Sequence, residues 1–268
     1  MSTHPFDHAI ALQPLGGDRF AGATSPAYAN MVGPFGGVSA ATLLNAVMQH
    51  PQRLGDPVAL TVNFAAAVAD GAFEVVARPV RTNRSTQHWV VELRQGGEVS
   101  STATVVTAVE RETWAVQDHA MPDVPAPEAV PSPARRGMVE WVRRYDMRFI
   151  EGELPTEWDG SGSSSRTQVW IRDAQPRALD ACSIASMADG FFPRVWLRRA
   201  TMVPVGTVSM TVYFHAGAAE MASTGTGWLL GQAQAQVFRH GFADQQAQLW
   251  NEAGQLLATT HQIVYYKS

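Results

Sequence analysis

The feature that most constrains this chain is that one stretch of it is written twice. Leu60-Thr61-Val62-Asn63-Phe64 recurs as Met210-Thr211-Val212-Tyr213-Phe214, and residues 91–99 (VELRQGGEV) recur as residues 248–256 (QLWNEAGQL). The shift is 150 residues from Phe64 to Phe214 and 157 from Gly97 to Gly254. A near-constant shift over two separated matches is the trace of tandem duplication of one structural unit. Duplication frees one copy to become scaffold, so polar residues kept by the other copy alone point to chemistry.

A length of 268 residues suits two ordinary domains or a fused pair sharing a core, and 46% apolar residues are enough to fill one. Charged residues make up only 16%, against roughly 25% in typical soluble domains. That deficit predicts a surface partly covered by another copy, hence a homodimer or higher homo-oligomer. A net charge of −4 without a basic run speaks against nucleic acid as a partner. The single cysteine, Cys182, rules out an internal disulfide and a cysteine-based zinc site. The eight histidines are scattered without metal-ligand spacing, so no metal is expected. The start of the sequence lacks a basic region followed by an apolar one, and no apolar run approaches the roughly 18 residues of a membrane span. The expectation is a cytoplasmic protein with no membrane partner.

Prolines crowd the segment from Val116 to Arg136, at 122, 125, 127, 131 and 133. Such density holds the backbone extended and blocks helix interiors and strand ladders. It divides the chain into a first unit over 1–115, a linker over 116–137 and a second unit over 138–268. Each unit reads as a short strand region, one apolar helix and several long strands. In the first, Gly33-Pro34-Phe35-Gly36-Gly37 precedes a helix over Val38–Met48, and strands are expected at 58–68, 72–81, 87–94 and 98–109. In the second, strands are expected near 139–150 and 168–172, a helix over 178–189, then strands at 207–215, 228–239, 243–251 and 255–266. The serine- and glycine-rich run 160–165 reads as a flexible loop. One helix wrapped by a long antiparallel sheet, twice over, is an α+β arrangement.

Several chemical signatures are missing. Gly33–Gly37 lacks the following Lys-Ser/Thr of a phosphate loop, and no Gly-x-Ser-x-Gly nucleophile elbow is present. Cys182 reads as a small core residue and His215 as a structural strand-end histidine.

The motifs Gly33-Pro34-Phe35-Gly36-Gly37, Ile184-Ala185-Ser186-Met187-Ala188-Asp189, the run 207–215 (TVSMTVYFH) and Leu256-Leu257-Ala258-Thr259-Thr260-His261-Gln262 occur in an order and spacing that resemble the double hotdog acyl-CoA thioesterases of the thioesterase II type. The resemblance extends from about Gly22 to Tyr266. It implies a double hotdog of two tandem repeats, an acyl-CoA substrate, no cofactor, and a site in which Asp189, Thr207 and Gln262 position and activate water. Two positions depart from the family pattern. Val38 stands where a glutamine often follows the first Gly-Gly, and Ser209 stands where an acidic residue is common.

The residues bear on that assignment. Ala185, Cys182 and Ala178 share the helical face of Asp189, so its carboxylate is expected toward the interior or a pocket. It also lies near a helix C-terminus, where the dipole disfavours negative charge by roughly 0.3–1 kcal/mol. Donors such as Gln262 and Thr207 would compensate. The competing reading is an exposed aspartate beside the helix-ending Gly190. Under the duplication, Gln262 maps onto Val105 and Thr207 onto Pro57, which puts the chemistry in the second copy; Asn45 is a loose counterpart for Asp189. The amides of Gly36 and Gly37 open a helix and are candidates to receive the thioester carbonyl; close helix–sheet packing is the plainer reading of that pair. Trp89, Phe191, Phe192, Trp196 and Trp228 are candidates for an acyl tunnel, with core packing the plainer reading of each. A non-catalytic acyl-thioester-binding protein is the main rival. A hotdog hydratase or dehydratase ranks below it, because the histidine-glycine-proline signature of that class is absent from the first half.

Overall fold

A computed structural model describes residues 4–132 and 139–267. A short helix α1 (Pro5–Ala9) and a hairpin of β1 (Gln13–Gly16) and β2 (Arg19–Ala23) lead into α2 (Gly36–Met48). Strands β3 (Asp56–Phe64), β4 (Ala72–Thr82), β5 (Thr86–Gln95) and β6 (Glu98–Ala108) follow. After the proline-rich segment come β7 (Tyr145–Glu151), β8 (Thr167–Asp173), α3 (Ala181–Met187), α4 (Arg194–Arg199), β9 (Val205–Phe214), α5 (Ala218–Thr224), β10 (Leu229–Gln234), β11 (Phe238–Arg239), β12 (Phe242–Asn251) and β13 (Leu256–Tyr266).

The strands form one continuous sheet in the order β1-β2-β4-β5-β6-β3-β9-β13-β12-β10-β8-β7, with β11 hydrogen-bonded to β12. Its centre is the duplication itself. β3 runs antiparallel to β9 with Leu60 opposite Val212, Thr61 opposite Thr211 and Val62 opposite Met210. The hydroxyls of Thr61 and Thr211, equivalent residues of the two copies, lie 3.0 Å apart. The copies are therefore related by a local twofold passing between these threonines.

Helix α2 packs on α3 and against β3, β4, β5 and β6. Ten of the thirteen residues of α2 are buried, on nearly every face. Full burial of side chains such as Leu43, Leu44 and Val47 contributes roughly 1.5–3 kcal/mol each. Gly37, in the first turn of α2, abuts the carbonyl of Ser186 near the end of α3, so the two helices run antiparallel with unlike ends together. A Cβ at position 37 would collide with that backbone oxygen.

The first-unit strands agree with the sequence expectation to within four residues. The second unit differs in several places, among them two further short helices, α4 and α5, where one helix was expected. α3 spans seven residues instead of the expected twelve, because the Asp180 side chain accepts from the Ser183 N–H at 2.7 Å and caps the helix there, and Asp189 falls in the turn after it. Residues 140–144 wind into a 3-10 turn before β7 begins. The strand expected over 228–239 is two, β10 and β11, with the Asp244 carboxylate accepting from the amides of Gln236 and Val237 between them. The run 160–165 is irregular but anchored: Gly162 accepts from Arg198, and buried Ser165 bonds the backbone of Ala235.

The proline-rich segment lies against the outer face of the second half of the sheet. Pro125 and Pro127 accept from Trp170 and Arg148, and Val130 packs with Trp170, Trp228, Leu230 and Trp250. The expected boundary at 137–138 lies outside the described residues.

Candidate active site

Asp189 sits where the end of α3 meets the start of α2. Its Oδ1 accepts from Gln262 Nε2 at 3.0 Å, and the Gly37 N–H at the positive end of α2 also acts on the carboxylate. Burial nevertheless dominates and pushes the Asp189 pKa up to about 7, against the lowering effects of Gln262 and Gly37. The donors that offset the unfavourable end of α3 are thus Gln262 and the facing helix terminus. The hydroxyl of Thr207 makes no hydrogen bond among the described residues.

Gln262 projects inward from β13, 3% exposed, and its amide also reaches the Ala188 carbonyl and Met210 Sδ. Thr207 reaches the same side through an irregularity in β9. Met210, Val212 and Phe214 are buried, so strict alternation would turn residue 208 inward and 207 outward. Instead Ser209 pairs with Ile263 and Thr207 with Val264, which leaves Val208 as an extra, exposed residue. This β-bulge turns Thr207 toward the site. The same irregularity recurs in β3 between Pro57 and Ala59, with Val58 exposed. The shift of 150 therefore matches Thr207 to Pro57 in three dimensions as well as in sequence. Likewise Gln262 faces Met210 across the ladder as Val105 faces Leu60.

Two cavities meet at Asp189. One, of about 260 Å³, is lined by Asp189, Thr207 and Gln262 together with Phe35, Trp141, Phe191, Phe192 and Trp196. Its walls are ordered by ring stacking, Phe35 on Trp141 at 4.1 Å and Phe149 on Phe192 at 5.5 Å. Gly231 leaves room for Phe191, since a Cβ there would stand 2.8 Å from its ring. The other, of about 620 Å³, is lined by Gly36, Phe64, Asp189, Gly206 and Thr207, with Phe242 and Tyr265. Gly36 brings backbone against the carboxylate: a Cβ there would lie 2.7 Å from Asp189 Oδ2. Of the aromatic candidates, Phe191, Phe192 and Trp196 line the smaller cavity. Trp89 belongs to the first-half core and Trp228 to the outer cluster under the proline-rich segment.

A residue not singled out from sequence joins the group. Gln245 on β12 is 3% exposed and stands directly across the ladder from Gln262. It lines the smaller cavity, and its side-chain amide makes no hydrogen bond among the described residues. Leaving such a group unpaired costs roughly 1–3 kcal/mol. Its signal was the one that marks Gln262: a glutamine interrupting the apolar inward series Ala243, Ala247, Leu249.

The remaining candidates lie elsewhere. Burial raises the Cys182 thiol well above its usual range, which leaves it a core residue. His215 pairs with Thr259 at the strand end, and desolvation lowers its pKa. Among the described residues no group of three or more His, Cys, Asp or Glu side chains is arranged to hold a metal ion, and no helix is long and apolar enough to cross a membrane.

Comparison with known proteins places the chain in context. The model of the acyl-CoA thioesterase C-terminal domain matches residues 117–266, and that of the N-terminal domain matches residues 25–109. A conserved protein of unknown function with a hot dog fold from Alicyclobacillus acidocaldarius is 46% identical, with a TM-score of 0.95 over 100% of this chain and 99% of that one. An acyl-CoA thioesterase II from Mycobacterium marinum superposes with a TM-score of 0.78 at 19% identity over 98% of both chains. A tesB protein from Mycobacterium avium subspecies paratuberculosis does so at 0.81 and 20% identity over the whole of both chains. These two likenesses show the double hotdog fold. No curated protein matched in sequence.

Proposed function

The chain belongs to the acyl-CoA thioesterase family, and from that premise we propose that it hydrolyses acyl-CoA to a free acid and coenzyme A using water activated by Asp189, Thr207 and Gln262. The observation that carries the proposal is the Asp189–Gln262 pair at the junction of two cavities, with a carboxyl that titrates near neutrality. A general base works best with a pKa close to the operating pH. Asp189 takes a proton from a water held by Gln262 and Thr207, and the hydroxide forms a bond to the thioester carbonyl carbon. The amides at the first turn of α2, Gly36 and Gly37, are the donors nearest to receive the oxyanion, with Gly36 the freer because Gly37 already acts on Asp189. Collapse of the tetrahedral intermediate breaks the carbon–sulfur bond, and the proton held by Asp189 passes to the leaving thiolate. The aromatic cavity takes the acyl group and the wider one the pantetheine arm.

The test is release of free coenzyme A from an acyl-CoA panel by the wild type and Asp189→Asn. Hydrolysis by the wild type and a loss of at least about 100-fold in the variant are expected; equal rates would remove Asp189 from the mechanism. Tight acyl-CoA binding without turnover by the wild type would favour the non-catalytic rival. Self-association is part of this reading, through the outer face of the central strands, where Tyr213 and Ile263 stand exposed. Sedimentation as a monomer at micromolar concentration would contradict it.

A further inference from the structure

The inner rung formed by β12 and β13 differs between the two copies in a way the fold does not require. In the second copy it holds Gln245 opposite Gln262; at the same ladder position in the first, Trp89 stands opposite Val105. Trp89 and Val105 are sealed in the core, the indole N–H of Trp89 donating to Thr107, so this rung does not call for a pair of amides. Gln262 is explained by its bond to Asp189. Gln245 is not. It is as buried as Gln262, neither of its amide atoms is hydrogen-bonded among the described residues, and it lines the cavity. The cavity it shares with Asp189, Thr207 and Gln262 is otherwise lined mostly by apolar side chains, among them Phe191, Phe192, Trp141 and Trp196. An unpaired amide in such a setting is a standing cost unless a ligand pairs with it.

We infer that Gln245 is a specificity-determining residue that binds a hydroxyl group on the acyl chain, and that the favoured substrates are hydroxyacyl thioesters. A glutamine amide offers one acceptor and two donors, and a hydroxyl both donates and accepts, whereas an oxo group only accepts. Residues directly opposite in an antiparallel ladder have Cα atoms about 4.5–5.5 Å apart. Gln245 therefore lies one strand beyond the residue that holds Asp189, and the hydroxyl it reads belongs to one of the first few carbons after the carbonyl. A site built to pair a substrate hydroxyl discriminates strongly against the analogue that lacks it, because its own polar group is then left unpaired.

The inference rests on the thioesterase reading, and the experiment separates the two. kcat/KM is measured for coenzyme A thioesters of one chain length, unsubstituted or carrying a hydroxyl at carbon 2, 3 or 4, with the 3-oxo compound as a further arm. The expected result is a preference of at least about tenfold, or ~1.4 kcal/mol, for one hydroxyacyl isomer over the unsubstituted and oxo compounds. In Gln245→Leu that ratio falls to near one. Hydrolysis of all compounds without preference overturns the inference and leaves the thioesterase reading standing. A wild-type preference that survives in Gln245→Leu overturns the role of Gln245. If the variant does not fold, the wild-type ratio still decides. Failure to hydrolyse any of them overturns the thioesterase reading, and the inference with it.

Discussion

Gln262 Nε2 donates to Asp189 Oδ1 at 3.0 Å, joining the last strand to the turn after α3 across 73 residues of chain. The bond works against the burial that raises the Asp189 pKa to about 7. In its proposed role as general base Asp189 is active when ionised, so kcat/KM is expected to rise with pH and reach half its plateau near pH 7. Gln262→Leu removes a donor to the carboxylate. It is expected to move that limb to higher pH and to lower the plateau roughly 100-fold or more. A pH–rate profile with an unmoved limb would dissociate Gln262 from the base.

Thr207 separates activity from stability. Its hydroxyl makes no hydrogen bond among the described residues, so the near-isosteric Thr207→Val should change stability by no more than about 0.5 kcal/mol. In the proposed mechanism the Thr207 hydroxyl orients water, and its loss is then expected to lower kcat about 10- to 100-fold. Paired thermal melts and kcat measurements check both halves.

The two glycines of α2 should fail differently. Gly36→Ala places a methyl 2.7 Å from Asp189 Oδ2 and against the Phe64 ring, a contact that the carboxylate can relieve by moving. Its expected effect is a large loss of kcat with little change in melting temperature. Gly37→Ala collides with the Ser186 carbonyl, which is backbone and cannot swing away. It should cost about 1–3 kcal/mol in denaturant unfolding as α2 and α3 are forced apart.

Asp173 tests the cost of a buried acid away from the site. It is 7% exposed, its Oδ1 has no hydrogen bond among the described residues, and burial raises its pKa to about 7 despite nearby Arg177. An unfolded aspartate titrates near 3.9, so the folded protein binds this proton more tightly. The stabilisation it confers is complete below about pH 4 and is lost as pH rises toward 7. Asp173→Asn should therefore be more stable than the wild type at pH 8, by on the order of 1–3 kcal/mol. The advantage should shrink steadily on acidification. An advantage independent of pH would show that Asp173 is not protonated on folding.

Much of this architecture was legible in the sequence because it is local or periodic. The apolar run of α2, the Gln95-Gly96-Gly97 turn between β5 and β6, and the recurrence of Leu60–Phe64 as Met210–Phe214 all follow from neighbouring residues. Gln262 was visible as a polar interruption in an apolar strand. Gln245 carried the same signal more faintly, because other glutamines crowd its strand. The length of α3 was not legible, because the capping role of Asp180 depends on where its side chain points.

What the sequence determined alone was the doubling, the class of secondary structure in each copy, and which copy retains polar residues at equivalent positions. Only the tertiary structure decided that the two copies join edge to edge at Thr61 and Thr211, that a bulge at Val208 turns Thr207 inward, and that Gln245 faces the cavity with its amide unpaired. The reason is physical. Periodicity reports which side of an element is buried, but a bulge reverses that parity, and the pKa of Asp189 is set by desolvation and by donors brought from α2 and β13, far away along the chain.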